Sequence, residues 1–289
     1  MNNKPLVSII ILNWNGLTDT IKCLDSVKKI TYVNYKIIIV DNGSRNNDCQ
    51  KIKEKYGDTI KLMCNEKNLG FTGGNNVALK QIIKENKSKY ILLLNNDTEV
   101  KKNFLNILVE YSENNKQAGI IGPKIYYWQK NNIIQSVGGK ISWYTGKVKN
   151  IGHLQKDNGQ YDNIQEVDYV PGCALLIKAE LINKIGLLDE KFFAYWEETD
   201  WCQRAKKAGY QIKIIPQSVI WHKEYASGKN EFADYQITRN KIWFMKKHAS
   251  YLQYFIFNLY FLFFTIPARI LKWQNLKLFF KAVKDGYLI

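Results

Sequence analysis

Residues 7–16 read VSIIILNWNG, and this continuous apolar run, which ends at two asparagines and a tryptophan, decides the fold class. An apolar, β-branched run without polar alternation is typical of a strand buried on both faces. Residues 35–44 (YKIIIVDNGS) and 90–98 (YILLLNNDT) repeat the arrangement. Such strands, separated by helices, belong to a parallel sheet, so the sequence predicts an α/β fold.

Helices and shorter strands are predicted between and after these runs. Apolar residues at spacings of three and four indicate helices after the first and fourth strands, and a short strand (59–64) and a helix (75–86) complete a parallel, doubly wound half-domain. Beyond residue 119 the predicted strands are 120–127, 133–137, 139–143, 167–177, 211–215 and 218–221, and the predicted helices are 179–184 and 199–208.

The composition is that of an ordered globular protein. The chain has 289 residues, of which 46% are hydrophobic, which excludes an intrinsically disordered protein. Five widely spaced cysteines with no CxxC pair disfavour a disulfide framework or a structural zinc site. The apolar run at 6–12 predicts a first strand and no signal peptide. We therefore expect a reducing, cytoplasmic compartment.

The positive charge is concentrated toward the end of the chain. The formal net charge is +16, and nine basic residues but no acidic one lie between 239 and 284. Residues 251–266 (YLQYFIFNLYFLFFTI) are apolar, yet shorter than the ~20 residues of a spanning helix. The sequence favours a helix in the interface of an anionic membrane, flanked by Lys247, Arg269 and Lys272. The alternatives are a helix docked on the core or on a partner subunit, and a true span.

The strand ends are where a ligand is expected, because open parallel sheets bind ligands outside the carboxyl ends of their strands. Neither a G-x-G-x-x-G nor a P-loop motif is present, so a nucleotide would be held differently. The Asp41 carboxylate is suited to a hydrogen bond with a nucleobase or ribose. Trp14 offers an aromatic face on which a base can stack. Asp97, with Asn95 two residues earlier, suits Mg²⁺ or Mn²⁺; the alternative is an Asx-turn.

A second polar cluster, residues 195–201 (YWEETDW), contains three carboxylates at a predicted helix start. Glu197, Glu198 and Asp200 would complement the helix dipole. Alternatively, carboxylates crowded beside tryptophans raise one another's pKa, as a general base requires.

Five segments in order resemble the motifs of family 2 glycosyltransferases, most closely the bacterial and archaeal rhamnosyltransferase-like branch. They are residues 7–16, 40–44 (VDNGS), 68–71 (NLGF), 92–98 (LLLNNDT) and 192–200 (FFAYWEETD), within a likeness covering roughly 5–248. The resemblance implies a GT-A (Rossmann-like) mixed sheet flanked by helices and an inverting, metal-dependent transfer from a nucleotide-diphosphate sugar. The C-terminal helical, aromatic-rich basic extension lies outside it.

The resemblance also implies roles for individual residues. Asp41 contacts the base or ribose, with Trp14 as a stacking partner. Asp97 corresponds to the second Asp of the D-x-D motif, whose first Asp is Asn95 here, and Glu198 occupies the position of the catalytic base, with Glu197 and Asp200 as alternatives. His222, expected at the metal, and Arg239 match positions that approach the diphosphate. The remaining residues predicted to bind the nucleotide are Asn13, Asn15, Gly70, Asn76 and Asn96.

The sequence therefore predicts transfer of a hexosyl or deoxyhexosyl group from a dTDP- or UDP-sugar to a saccharide or lipid-linked acceptor in cell-surface polysaccharide synthesis. The predicted location is the cytoplasmic face of the cell membrane.

We expect a catalytic domain (1–240, with a nucleotide-binding half at 1–118 and an acceptor half at 119–240) and a helical membrane-associating or docking segment (241–289). The alternative is a non-catalytic protein that binds a sugar nucleotide or, less favoured, nucleic acid. Whether the chain forms a homo-oligomer is left open.

Overall fold

The computed structural model describes residues 4–130, 132–223, 231–271 and 275–289, and its first half alternates strands with helices as predicted. The elements are β1 (Val7–Asn13), α1 (Leu17–Val27), β2 (Tyr35–Asp41), α2 (Asp48–Tyr56), β3 (Lys61–Cys64), α3 (Gly70–Glu85), β4 (Tyr90–Asn95), β5 (Thr98–Val100) and α4 (Phe104–Asn114). Neither α2 nor β5 was predicted. The start of α3 was predicted too late, because the glycines and asparagines of its first turns have low helix propensity.

The second half contains shorter strands and the C-terminal helices. Its elements are β6 (Ala118–Tyr127), β7 (Ile134–Ser136), β8 (Gly139–Ser142), β9 (Lys147–Asn150), β10 (Gln165–Glu166), β11 (Ala174–Lys178), α5 (Ala179–Ile185), α6 (Glu197–Lys207), β12 (Gln211–His222), α7 (Glu231–His248), α8 (Tyr251–Tyr260), α9 (Ile266–Leu271) and α10 (Leu276–Leu288). The two predicted strands at 211–215 and 218–221 are one strand, whose pairing with β6 shifts between Ile215 and Val219. Pro216 explains the shift, because it cannot donate to the ladder. Of the strand predicted at 167–177, only the part from Ala174 onward forms.

One mixed sheet carries the strands in the order β10-β12-β6-β11-β4-β1-β2-β3, with β5 paired to β12 and β7 to β6. Strands β1 to β4 run parallel, whereas β11 enters antiparallel to both β4 and β6. Because β12 runs parallel to β6, the carboxyl ends of β1, β2, β4 and β12 and the start of β11 meet at one edge. This topology brings segments that are distant in sequence to a common edge.

The parallel strands are buried on both faces, as their unbroken apolar runs predict. Successive side chains alternate between two hydrophobic clusters, one under α3, α6 and α7 and the other under α1, α2 and α4. In β1, Ile10 faces the first cluster and Ile9 and Ile11 the second, all without exposed surface. Fully burying a side chain of this size contributes about 1.5–3 kcal/mol, so β1 is a strongly stabilised part of the sheet.

A disulfide joins Cys49 in α2 to Cys64 at the end of β3, with their Cα atoms 6.2 Å apart. The sequence disfavoured a disulfide framework, and this single pair was not predicted, because α2, which packs beside β3, was not predicted. Cys23, Cys173 and Cys202 are buried free thiols. Since disulfides are uncommon in reducing compartments, the cysteines do not support the cytoplasmic prediction.

The C-terminal region contains one long apolar helix, Tyr251–Leu271, of 21 residues. It runs from α8 through the π-helical Phe261–Thr265 into α9, where Pro267 cannot donate to a carbonyl in the preceding turn. Among the described residues it is the one helix long and apolar enough to cross a membrane, by length and composition alone. The prediction that the segment is too short to span was therefore wrong.

This long helix has two faces. Phe257 and Phe261 are buried against the core, which fits docking on the chain itself. The other face exposes large apolar side chains: Tyr251, Leu252, Phe255, Leu259, Leu262, Phe263, Phe264, Ile270 and Leu271. α10 packs along α7, and α7 crosses the domain boundary predicted at 240, which stays a prediction. Lys272, predicted to flank the helix, lies outside the described residues.

Candidate functional site

Two adjoining clefts open at the sheet edge where β1, β2, β4 and β12 end. The cleft that we call the acidic cleft has a volume of about 540 Å³ and includes Asp97, His222, Glu197 and Glu198 in its walls. The second, the aromatic cleft, has a volume of about 480 Å³ and lies beside Trp14. Both clefts are lined by Trp14, Phe71, Asn95, Ala194 and Phe232. They therefore form one continuous site.

Asp97 and His222 form a close pair in the acidic cleft, with Nε2 of His222 3.1 Å from Oδ1 of Asp97. The pairing of β5 with the end of β12 sets Thr98 opposite His222, and the amide of Lys223 donates to the Asp97 carbonyl at 3.1 Å. These backbone contacts bring the two side chains together. The Asp97 carboxylate faces His222 and the cleft, as a role in ligand binding requires.

Gln135 holds the other ring nitrogen of His222, because its Oε1 lies 2.9 Å from Nδ1. This contact fixes the ring so that Nε2 faces the Asp97 carboxylate. In the tautomer with an unprotonated Nε2, a cation between the two atoms would bind both of them. The geometry is therefore suited to a cation.

The residues present fit a divalent ion shared with a ligand. Among the described residues, no group of three or more His, Cys, Asp or Glu side chains could hold a metal. Mg²⁺ and Mn²⁺, however, need few protein ligands and complete their shells with phosphate and water. Asp97 and His222 supply two ligands, and Asn95 lines the same cleft. Asp97 and His222 thus suit a divalent ion whose remaining ligands come from a bound diphosphate and water.

Glu197 and Glu198 lie at the start of α6, at the end of a strained loop. Phe193, Tyr195 and Trp196 have φ angles of 61°, 69° and 76°, a conformation that costs about 1–3 kcal/mol per non-glycine residue and clusters at functional sites. The surrounding structure must hold this loop in place for the two carboxyl groups to keep their position.

A buried amide holds the strained loop. Nδ2 of Asn240 lies 2.8 Å from the carbonyl oxygens of Phe192, Ala194 and Tyr195. Asn240 has no exposed surface, so the loss of these contacts would leave buried carbonyls without a donor. Asn240 in α7 therefore positions the start of α6.

Burial raises the pKa of both carboxyl groups in this cleft. Desolvation, followed by the charge of Glu198, raises the pKa of Glu197 well above its usual range. Desolvation raises the pKa of Glu198 to about 7, although backbone and Thr199 hydrogen bonds and one from Glu197 favour its charged form. Glu197 thus keeps its proton at a pH at which Glu198 ionises, because burial and the neighbouring charge of Glu198 disfavour its charged form. Glu198 ionises near neutral pH, as suits a general base.

Asp200 is directed away from the cleft into a buried ionic network. Nε2 of His248 donates to Asp200 at 2.7 Å, and Nζ of Lys247 and Nε of Arg204 each lie 2.8 Å from the carboxylate. Burial alone would raise its pKa, but the hydrogen bond from His248 and the charges of Arg204 and Lys247 lower it to about 2. The structure does not support Asp200 as the alternative base, because three donors engage its carboxylate and it lines neither cleft.

The aromatic cleft lies beyond the ends of β1 and β2. Its walls are rings and amides: Trp14, Phe71, Phe193, Phe232, Asn42, Asn68, Asn95 and Asn96. Trp14 is 52% exposed, which leaves a ring face for stacking. Asn42 Nδ2 donates to Asn68 Oδ1 at 2.9 Å, and Asn96 Nδ2 donates to Thr20 at 3.0 Å. These contacts give the amides fixed orientations.

Asp41 and Asn13 lie beneath the aromatic cleft and not among the residues that line it. Nδ2 of Asn13 donates to Asp41 at 2.7 Å and to Asp48 at 3.1 Å, and Oγ of Ser44 donates to Asp41 at 2.6 Å. Asn15 is on the exposed rim, where its amide donates to Ser44 Oγ at 2.8 Å. Asp41 is only 3% exposed. Its network shapes the turn after β2, and direct contact of these residues with a nucleotide stays a prediction.

Two glycines allow close approach at the clefts. Gly70 has a φ of +75°, and a Cβ there would lie 2.5 Å from the carbonyl oxygen of Phe193, so α3 can begin against the strained loop only with glycine. A Cβ at Gly172 would lie 3.6 Å from both Glu198 and Phe71. The absence of a side chain at Gly172 thus leaves space beside the Glu198 carboxyl.

Asn76 and Arg239 are not brought to either cleft. Asn76 Nδ2 donates at 2.9 Å to the Leu188 carbonyl and to Glu190 Oε1, which ties α3 to the loop before α6. Nη1 of Arg239 donates to the Lys191 carbonyl at 2.8 Å. Nδ2 of Asn76 and Nη1 of Arg239 thus bind groups of the fold, and neither residue lines a cleft, so the structure does not support the predicted nucleotide and diphosphate contacts.

Sequence reasoning missed the roles of Gln135, Asn240 and His248. Asn240 directly follows Arg239, the residue proposed for the diphosphate. No periodicity identifies such positions, because their function depends on partners more than forty residues away. His248 is one of only three histidines in the chain, which was the one available signal.

A family model described as "Glycosyl transferase family 2" matches residues 8–183. Low-salt glycan biosynthesis hexosyltransferase Agl10 of Haloferax volcanii is 26% identical over 206 residues, which cover 71% of this chain and 63% of that protein. The dTDP-rhamnosyl transferase RfbF of Shigella flexneri is 23% identical over 213 residues, which cover 74% of this chain and 67% of that protein. The chain spans less than two thirds of the archaeal relative, and 26% of an uncharacterized protein of Sinorhizobium fredii.

A likeness to solved structures extends over most of the chain. The crystal structure of GalNAc-T7 with UDP, GalNAc and Mn²⁺ matches with a TM-score of 0.67 and 16% identity, over 85% of this chain and 48% of that one. At this identity the likeness concerns the fold, a mixed sheet flanked by helices.

Proposed function

The chain belongs to glycosyl transferase family 2 and has the GT-A fold, and from this we propose that it transfers a sugar from a nucleotide-diphosphate sugar to a hydroxyl group of an acceptor. One observation carries the proposal: Asp97 with His222, and Glu197 with Glu198, line the same cleft of about 540 Å³. The first pair suits a diphosphate with its cation. The second suits removal of a proton from an attacking hydroxyl.

The donor is a dTDP- or UDP-sugar bound with its nucleoside in the aromatic cleft. Trp14 stacks on the base, and Nδ2 of Asn68, whose Oδ1 accepts from Asn42, supplies a hydrogen bond. A relative named as a dTDP-rhamnosyl transferase and a structural neighbour with UDP support this donor class. The transferred group is a hexosyl or deoxyhexosyl unit.

The reaction proceeds with inversion in a single displacement. Glu198, ionised beside the protonated Glu197, takes the proton of the acceptor hydroxyl as its oxygen attacks the anomeric carbon. The bond to the diphosphate breaks on the opposite face, and the diphosphate leaves beside Asp97 and His222. These two residues would hold Mg²⁺ or Mn²⁺, which supplies positive charge for the leaving diphosphate. Gly172 leaves room for the acceptor sugar next to Glu198.

The acceptor is a saccharide or a lipid-linked saccharide for the cell surface, reached at the cytoplasmic face of an anionic membrane. The exposed apolar face of Tyr251–Leu271 and the basic residues around it support this location. Deleting the chain after Ser250 would remove the buried Phe257 and Phe261 from the core, so exposed positions make a sharper test. Leu262→Glu and Phe263→Glu, at 54% and 64% exposure, should release the protein from anionic vesicles without unfolding it. Unchanged flotation would contradict this location.

Calorimetric titration with UDP, dTDP and GDP, with and without Mn²⁺, tests the donor site. We expect metal-dependent binding of one diphosphate, which Asp97→Asn abolishes and which Asp58→Asn, in an exposed turn away from both clefts, leaves intact. If none of the three diphosphates binds, the donor assignment is wrong. Binding without hydrolysis or transfer would indicate a non-catalytic protein that binds sugar nucleotides.

A further inference from the structure

Three cations from separate elements meet beside the long apolar helix, and we call them the basic junction: Lys147 in β9, Lys241 in α7 and Arg269 in α9. The turn before β9 lies against α8 and α7, since a Cβ at Gly146 would be 2.7 Å from the Phe257 ring and 3.2 Å from Cγ of Lys241. Nζ of Lys147 is 5.4 Å from the centre of the Tyr260 ring. The junction thus adjoins the aromatic face of the helix.

The positive charge of the junction is only partly balanced. Arg269 lies 3.3 Å from Asp234, but among the described residues neither Lys147 nor Lys241 forms a salt bridge. Burial, then the charges of Arg269 and Lys147, lower the pKa of Lys241 to about 8. Three cations against one carboxylate leave an excess of two charges. An anion at this place would relieve their mutual repulsion.

The position of the junction links the active site to the exposed helix. Strand β9 runs from Lys147 to Asn150, and Asn150 lines the acidic cleft. Three steps of extended strand span about 10 Å. A molecule with a sugar in the acidic cleft would therefore reach Lys147 with a group that lies about 10 Å from that sugar. The Tyr260 ring next to Lys147 stacks on Phe264, which belongs to the exposed apolar face of the helix.

We propose that the basic junction binds the phosphate of a membrane lipid and thereby orients a lipid-linked acceptor toward the acidic cleft. The orienting role rests on the proposed function, whereas the phosphate site stands on the junction alone. The order of groups in such an acceptor, sugar then phosphate then hydrocarbon, matches the order of acidic cleft, basic junction and apolar helix face. A free saccharide acceptor would have no use for the two unpaired lysines.

Vesicle binding tests the phosphate site directly. The probes are phosphatidylcholine vesicles containing either a polyprenyl monophosphate or phosphatidylglycerol at equal surface charge. We expect Lys241→Gln and Lys147→Gln each to weaken binding to phosphate-bearing vesicles about tenfold, which corresponds to about 1.4 kcal/mol. Lys241→Arg keeps the positive charge and should retain most of the affinity. Retained affinity in this variant would show that the loss in Lys241→Gln comes from the missing charge and not from misfolding. Lys53→Gln, in the distant helix α2, is the matched charge control.

A second control distinguishes a specific phosphate site from general electrostatic attraction between the basic protein and an anionic vesicle. Lys277→Gln removes an exposed cation from α10, and equal losses for Lys277→Gln and Lys241→Gln would overturn the proposal. A loss confined to the polyprenyl phosphate vesicles identifies the acceptor's own phosphate, and equal losses on both vesicle types identify general headgroup phosphate. Nucleotide binding at Asp97 is measured separately without vesicles. Failure there refutes the donor site, and failure of the vesicle assay refutes only the phosphate site.

Discussion

Replacing Glu198 by Gln tests the assignment of the base most directly. The amide keeps the size and polarity of the side chain but cannot accept the proton of the attacking hydroxyl. A positioned general base contributes typically 10²–10⁴-fold in rate, so we expect kcat to fall by about 10²–10⁴, equivalent to about 2.7–5.4 kcal/mol. Donor binding, measured by calorimetry, should change little, because the nucleotide is proposed to lie in the aromatic cleft.

The pH dependence of kcat is a second test of Glu198, and the pKa of Glu198 sets its expected size. Burial raises the pKa of Glu198 to about 7, and the base acts in its ionised form, so activity should rise with pH. About one tenth of Glu198 is ionised at pH 6 and about nine tenths at pH 8. The parent should therefore show about a tenfold increase in kcat over this interval. This acid limb should disappear from the residual activity of Glu198→Gln.

Glu197→Gln is the matched control, because the amide is neutral and polar like the protonated Glu197 carboxyl that it replaces. We expect this variant to keep most of its activity, with an acid limb still near pH 7. The assignment would be refuted if Glu197→Gln lost more activity than Glu198→Gln. It would also be refuted if the acid limb survived in Glu198→Gln, since another group would then be the base.

The other predictions concern the acceptor space, the buried network and the disulfide. Gly172→Val should fill the gap beside Glu198 and Phe71 and lower kcat/KM for the acceptor about 10–100-fold with unchanged donor affinity, as measured by initial rates and calorimetry. Asp200→Asn breaks a buried ionic network and should lower the free energy of unfolding by about 3–5 kcal/mol at pH 7. Because the native pKa of Asp200 is lowered to about 2, its contribution is present above about pH 4 and lost as the pH falls toward 2, so urea titrations should show parent and variant converge there. Cys49→Ser should cost about 3 kcal/mol, as expected for a loop of 15 residues, and reduction of the parent should reproduce that loss without abolishing donor binding.

The parallel part of the fold could be predicted because its strands are buried on both faces. Their apolar runs end in polar residues at Asn13, Asp41 and Asn95, and these ends are neighbours in register: Asn13 opposite Asp41, and Leu12 opposite Asn95. The helix α2 could not be found in the same way, since only three of its residues are buried. Missing α2 also meant missing the Cys49–Cys64 disulfide.

The candidate site was predicted where its residues follow strand ends and missed where hydrogen bonds decide a role. Asp97, His222 and Glu198 line one cleft because chain topology alone brings them there. Asn76 and Arg239 looked equally suitable in sequence, but neither lines a cleft, and Nδ2 of Asn76 and Nη1 of Arg239 donate to main-chain carbonyls before α6. Such competition between a ligand and the protein's own backbone has no signature in residue type or spacing.

Asp200 links α6, the helix that begins with Glu197 and Glu198, to the end of α7 next to the long apolar helix. His248 ends α7 two residues before Ser250, whose side chain caps α8, and Nε2 of His248 lies 2.7 Å from Asp200 in α6. Desolvation lowers the pKa of His248, and its Nδ1 is buried without a hydrogen-bond partner, so the ring is neutral and donates through Nε2. Glu198 precedes Asp200 by two residues, and the start of α8 is thus held at a fixed place relative to the proposed base. A membrane that binds the exposed face of α8 would consequently orient the acidic cleft as well, because the two are connected by a buried hydrogen bond and not by a flexible linker.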